Sequence, residues 1–227
     1  MLADDESNRQ LLPIKSHYND AMRGQKDRIE GFWAWFATHN MEFSRLRTPD
    51  EPFWDLALDQ LKKVDENFWF ELSRNRHPAR EFIVTTEGHV SSFSRAEELV
   101  RLAPKIEGWT FIALKPAQGF RFTTNYEGTQ FDPRQMWFLP LENESRPSDL
   151  GIQIAIPGLD SMDKVLAHTA VLVILDTGLG ERSAAIDLQY TEVTDMPTDP
   201  GANGFIELPK LADYIAWRKK RLASSSV

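Results

Sequence analysis

The sequence predicts an α+β protein, with one mixed or mostly antiparallel sheet and helices packed on it. Three observations predict this. Near the start, Ile29, Phe32, Trp33 and Phe36 fall at i, i+3, i+4 and i+7, one face of a helix. The middle of the chain holds short alternating runs, such as residues 67–73 and 150–156. Helical and strand patterns are partly segregated along the chain, which separates this class from a doubly wound α/β fold. Two β-α-β segments, around residues 80–115 and 150–194, are candidate halves of the sheet, although no residue-level repeat relates them.

The elements follow in order. Residues 1–23 are polar, carry Pro13 and show no sustained period, so they read as an N-terminal arm; residues 24–227 read as a single domain, with an alternative boundary in the polar loop 142–149. A helix is predicted over residues 24–47, with a break near His39 and Asn40, and Trp35 lies off its apolar stripe. Pro49 and Pro52 flank the start of a second helix, where a missing N–H costs nothing. Residues 67–73 and 80–86 make a hairpin around the polar turn 74–78. Ser94 and Glu97 have the spacing of a capping box ahead of a helix that Pro104 ends. Strands follow at 108–115, 119–126 and 136–141, the last placed near an edge by Pro140. Asp132 caps a single helical turn between them. Ile152, Ile154 and Ile156 alternate cleanly. Asp160 and Asp163 are an N-cap and a first-turn acid for a helix that Gly178 and Gly180 end. Ile186, Leu188 and Tyr190 alternate within a predicted strand at 183–194, and Pro209 opens a last helix.

Composition removes several classes of function. The 227 residues contain 34 acidic and 26 basic side chains, a net charge of -8, which opposes a nucleic-acid footprint. No cysteine is present, so disulfides, thiolate nucleophiles and cysteine zinc sites are excluded. No apolar run reaches the ~18 residues of a membrane span, and the first ten residues are polar and acidic, unlike a signal peptide. The expectation is a cytoplasmic chain with no membrane and no nucleic-acid partner. The seven Trp and fourteen Phe are spread over the sequence, as core residues of many elements are.

The search for chemistry returns little. Residues 173–178, ending in Asp176-Thr177-Gly178, have the look of an aspartic-protease motif. That chemistry needs two carboxylates sharing a proton. No second Asp-Thr-Gly or Asp-Ser-Gly exists here, and the run reads better as a helix end. His17, His39, His77, His89 and His168 show no metal-ligand spacing. No phosphate-cradling glycine motif and no Gly-x-Ser-x-Gly elbow is present. No catalytic residue, metal site or cofactor is assigned; Asp176 and Glu181 are the candidate binding residues. The basic run Arg218 to Arg221 reads as a solvated helix C-terminus or as a contact for an acidic partner.

The run Phe32-Trp33-Ala34-Trp35-Phe36, the strand Arg80 to Val84, and Leu175-Asp176 followed by Leu179-Gly180-Glu181 resemble a family of uncharacterised bacterial proteins over residues 28–195. The resemblance implies a bacterial cytoplasmic α+β protein and transfers no activity. Two classes of function stay open. One is a non-enzymatic binding protein, an adaptor or immunity-type protein whose acidic surface suits a basic protein partner. The other is a hydrolase or transferase that uses carboxylates such as Asp176 and Glu181 from separate elements. The oligomeric state is left open.

Overall fold

A computed structural model describes residues 11–73 and 79–225. The α+β class holds, but the strands form three sheets rather than one. The chain divides into two compact units, one of the residues up to Glu87 with Ser92–Ala113, the other of Gly88–Ser91 with the residues from Leu114 onward. The division falls after residue 113, and loop 142–149 lies inside the second unit. The two strands and the α-helices of each β-α-β segment belong to one unit.

The first unit opens with α1 (Leu11–Thr38) and α2 (Asn40–Arg45), interrupted at His39. Helix α1 is described from Leu11, so residues 11–23 belong to the same helix as the apolar stripe at 29–36. Residues 1–10 lie outside the described residues, as does the hairpin turn 74–78 with His77. Helix α3 (Pro52–Lys62) leads to the hairpin of β1 (Trp69–Leu72) and β2 (Arg80–Thr85). Helix α4 (Phe93–Arg101) then crosses over to β3 (Trp109–Ala113), which pairs parallel to β2. The capping box is displaced: the N-cap is Ser92, without a side-chain cap, and Ser94 lies inside the helix. A 3-10 turn over Val90–Ser92 feeds the helix early, which removes the free N–H groups that Ser94 would have satisfied.

This unit's core is aromatic. Ile29, Phe32, Trp33 and Phe36 are all buried, as their spacing predicts. Phe36 stacks on Phe43 at 4.3 Å, Phe70 on Phe82 at 5.2 Å, and Trp33 meets Phe111 edge-on at 4.5 Å. The Trp33 indole N–H donates to the Leu99 carbonyl at 2.8 Å, so the ring's one polar atom is satisfied. Trp35 leaves the stripe and stacks on His39 and Phe53.

The second unit holds a hairpin of β4 (Thr124–Tyr126) and β5 (Thr129–Phe131), then a four-stranded sheet. That sheet has the order β8 (Tyr190–Asp195), β7 (Leu150–Ile156), β6 (Trp137–Glu142), β9 (Ile206–Glu207). β7 and β8 are parallel, joined by α5 (Lys164–Leu179) and α6 (Glu181–Asp187). The last described element is α7 (Leu211–Ser225). Leu150, Ile152, Ile154 and Ile156 face Ala167, Ala170, Val171, Ile174 and Leu175 of α5 in one buried cluster. Three expectations are revised. Residues 181–187, Glu-Arg-Ser-Ala-Ala-Ile-Asp, are helical, because good helix formers outweigh the alternation of Ile186, Leu188 and Tyr190. Of residues 119–126 only Thr124–Tyr126 are extended. The α5 N-cap is Asp163, which accepts from the Val165 and Leu166 amides; Asp160 sits in a preceding 3-10 turn. Pro140 is accommodated because β9 pairs only with Trp137 and Phe138, so β6 has one neighbour at that level.

Candidate functional site

The two candidate acids lie at either side of the break between α5 and α6, and both reach Lys115. Asp176 is in the last turns of α5, and its carboxylate pairs with the Lys115 ammonium at 2.9 Å. Glu181 opens α6 and is fully buried. Its carboxylate accepts from the Gly88 amide at 3.2 Å and the Lys115 amide at 3.1 Å. The Glu181 amide donates in return to the Lys115 carbonyl at 3.0 Å. The neighbouring loop is tied to the same helix end: the Gln118 amide donates to the Thr177 carbonyl and the Gly119 amide to the Gly178 carbonyl. Glycine is needed twice here. A Cβ on Gly178 would stand 2.2 Å from the Phe120 ring, and Gly180 has φ +80 with the Ala117 amide 2.7 Å from where a Cβ would be. The Asp-Thr-Gly run is therefore a helix end fastened to residues 115–120, with its carboxylate in an ion pair.

A concave site lies elsewhere on α5. His168, Leu172 and Leu175 of that helix face Ala184, Leu188, Gln189, Tyr190 and Thr191 across a groove of about 290 Å³. Its polar groups are set by the chain. The His168 Nε2 lies 3.0 Å from the Thr191 carbonyl oxygen. A carbonyl only accepts, so the neutral ring carries its proton on Nε2 and Nδ1 is the basic nitrogen. Gln189 is held at both ends, accepting from the Leu150 amide and donating to the Ile186 carbonyl. The Tyr190 hydroxyl donates to the Glu192 carboxylate at 2.7 Å, and the Gln153 amide donates to the other Glu192 oxygen at 2.7 Å. The bond to that carboxylate, then its charge, hold the Tyr190 phenol above its ordinary pKa of 10.0.

Leu172 and Tyr190, which line the groove, are exposed, as are other apolar residues of α5 and α6. Tyr190 is 55% exposed, Leu172 46%, Val173 42% and Ile186 41%; Val165, at the start of α5, is 77% exposed. None of these was singled out from the sequence as a site residue. The signal was there: α5 reads apolar on every side, and one sheet face cannot bury all of it. Lined by leucines, an imidazole and a phenol, the groove is suited to apolar contact with a few directed hydrogen bonds. Neither Asp176 nor Glu181 lines it.

The basic run is engaged inside its own unit. Arg218 is buried and donates to the Ser148, Pro147 and Asp149 carbonyls, clasping the loop before β7. Lys219 pairs with Asp187 at 2.7 Å and Arg221 with Glu142 at 3.2 Å. Among the described residues, no group of three or more His, Asp or Glu side chains is placed to hold a metal ion, and no helix is long and apolar enough to cross a membrane. No family model, curated protein or solved structure matches the chain.

Proposed function

We propose that this chain is a protein-binding module of the adaptor or immunity type, and that it binds through the groove between α5 and β8. The observation that carries this reading is the pair of exposed apolar residues, Leu172 and Tyr190, that line a preformed concavity. An exposed apolar patch with a pocket that can take an anchoring side chain is the anatomy of a binding hot spot. The carboxylates that an enzymatic reading would employ, Asp176 and Glu181, are engaged by Lys115 and by the Gly88 and Lys115 amides. That favours binding over a hydrolase or transferase built on those two acids. The resemblance to uncharacterised bacterial proteins is compatible with this reading and adds no activity to it.

The test compares capture from native lysate by the wild-type chain, by Leu172→Glu and by Leu56→Glu. Leu56 is exposed on α3 and serves as the control for a charged substitution on an exposed leucine. The expected result is one stoichiometric protein captured by the wild type and by Leu56→Glu and lost with Leu172→Glu. Capture unaffected by Leu172→Glu, or a retained small molecule with no protein, overturns the proposal.

A further inference from the structure

We infer that β8 receives an extended, lysine- or arginine-bearing segment of the partner as an added strand, with an apolar side chain of that segment seated in the groove. This rests on the protein-binding reading and specifies the partner's chemistry.

Three independent features of the second unit converge on it. The first is backbone. β8 is the last strand of its sheet, with β7 on one side and no strand on the other among the described residues. It runs six residues, Tyr190–Asp195, without proline, lysine or arginine, the residues that commonly protect an edge. An edge strand turns alternate peptide groups outward, where a second chain can pair with them.

The second feature is the position of the groove. Tyr190 and Thr191, the first two residues of β8, are themselves part of its lining. Thr191 and Val193 pair with Ile152 and Ile154, whose side chains face α5, so they share that side of the sheet. Side chains of an added strand alternate likewise. Those on the α5 side reach the groove at Leu172 and His168. Those on the other side stand beside Glu192, which pairs with Gln153.

The third feature is charge. Residues 183–209 contain Asp187, Glu192, Asp195, Asp199 and Glu207 and no Lys, Arg or His. Asp187 is matched by Lys219, and Glu207 pairs with Lys210. Among the described residues Glu192 is bonded by the neutral Tyr190 hydroxyl and Gln153 amide and by no cation, so its charge is not cancelled. Asp195 is exposed and forms no ion pair with a described residue. An added strand with cations at alternate positions would be held beside Glu192, while Asp195, on the α5 side with its partner Ile156, adds to the field that steers the strand in. Nucleic acid would be repelled. A second copy pairing β8 against β8 would bring Glu192 and Asp195 near their own like charges, which is unfavourable.

The experiment uses the full chain, isotope-labelled for amide exchange, and three capped ten-residue peptides. One alternates Lys and Val. One alternates Glu and Val. The third is the Lys/Val peptide N-methylated at alternate residues, which removes the N–H groups that would pair with β8. The Lys/Val peptide is expected to slow amide exchange in residues 190–195 about tenfold or more. The other two are expected to bind about tenfold more weakly, and Glu192→Gln to weaken the Lys/Val peptide severalfold. Equal binding of all three peptides, or binding that leaves β8 exchange unchanged, overturns the inference. So does a concentration-dependent dimer that protects β8 without peptide. If no peptide binds while capture still depends on Leu172, strand addition fails and the protein-binding reading stands; if capture is lost as well, both fail.

Discussion

Glu181 and Lys115 hold each other twice: the Glu181 amide donates to the Lys115 carbonyl at 3.0 Å, and the Lys115 amide donates back to the Glu181 carboxylate at 3.1 Å. The carboxylate also holds the Gly88 amide, so one buried acid organises two separate stretches of backbone at the start of α6. Its removal would leave donors without an acceptor in a place that water does not reach freely. Glu181→Ala is expected to cost about 2–4 kcal/mol, and Glu181→Gln less, because the amide keeps one acceptor oxygen. Urea unfolding checks both. A loss under about 0.5 kcal/mol for Glu181→Ala would show that the lash carries no weight.

At Gly178 two effects of known sign compete. Alanine in a helix is better than glycine by about 1 kcal/mol. Here, however, the added Cβ would stand 2.2 Å from the ring of Phe120, itself buried in the core. Overpacking of this kind costs about 1–3 kcal/mol, so Gly178→Ala is expected to destabilise on balance. The double variant Gly178→Ala with Phe120→Leu separates the causes: relief of the clash makes its loss smaller than the sum of the two single losses. Strict additivity in denaturant melts would refute the contact as the reason for glycine.

Arg80 carries a comparable weight in the first unit. Its guanidinium donates to the Leu46 carbonyl at 2.7 Å, to the Ser73 carbonyl at 3.0 Å and to the Phe43 carbonyl, and it lies over the Trp109 ring. It thereby satisfies carbonyls at the end of α2, which that short helix cannot satisfy itself. Burial, then the charge of Arg47, hold it below the ordinary guanidinium pKa, with Glu51 opposing. Lysine lacks the planar fork. Arg80→Lys is expected to lose about 1–2 kcal/mol and Arg80→Ala about 3 kcal/mol. Tryptophan fluorescence during unfolding measures this, and equal stabilities for lysine and arginine would count against the fork.

Much of the fold was legible because it is local. The α1 stripe follows the helical period, and Ile152, Ile154 and Ile156 alternate as a strand does. Both β-α-β segments were readable, since each encloses a helical pattern between two strand patterns. The seven residues of α6 are too few for a period of 3.6 to outvote two alternating apolar positions. The site was less legible. Asp176 and Glu181 stand out as acids near a glycine pair, but the residue they share, Lys115, is 66 positions from Glu181. The groove is harder still, because no local pattern tells which apolar residues of α5 the sheet leaves uncovered.

Glu51 makes the acid dependence of the first unit testable. Its carboxylate accepts from the Arg47 amide at 2.5 Å and the Thr48 amide at 3.0 Å, closing the turn before α3. Those two bonds, Arg47 first, hold its pKa below the ordinary 4.5. A depressed carboxyl pKa stabilises the fold above the unfolded value, and the contribution is lost as the pH falls through the folded one. Glu51→Gln is therefore expected to be less stable at neutral pH and to approach the wild type as the pH falls below the ordinary 4.5 and through the lowered folded value. Parallel stability curves for the two chains across that window would contradict the assignment.

At the groove the shift has the opposite sign. The Tyr190 hydroxyl donates to the Glu192 carboxylate, and ionising the phenol would place two negative oxygens 2.7 Å apart. The bond and the charge raise the Tyr190 pKa above 10.0. A raised pKa means that the contribution to stability is whole below the unfolded value and is lost as the pH rises through the folded one. Throughout the neutral range the phenol thus stays a donor to Glu192. Glu192→Gln removes the opposing charge, so Tyr190 is expected to titrate closer to 10.0. Ultraviolet difference titration against Tyr190→Phe isolates this phenol from Tyr214, whose pKa burial also raises. A Tyr190 that ionises at the same pH in the wild type and in Glu192→Gln would remove Glu192 as the cause of the shift.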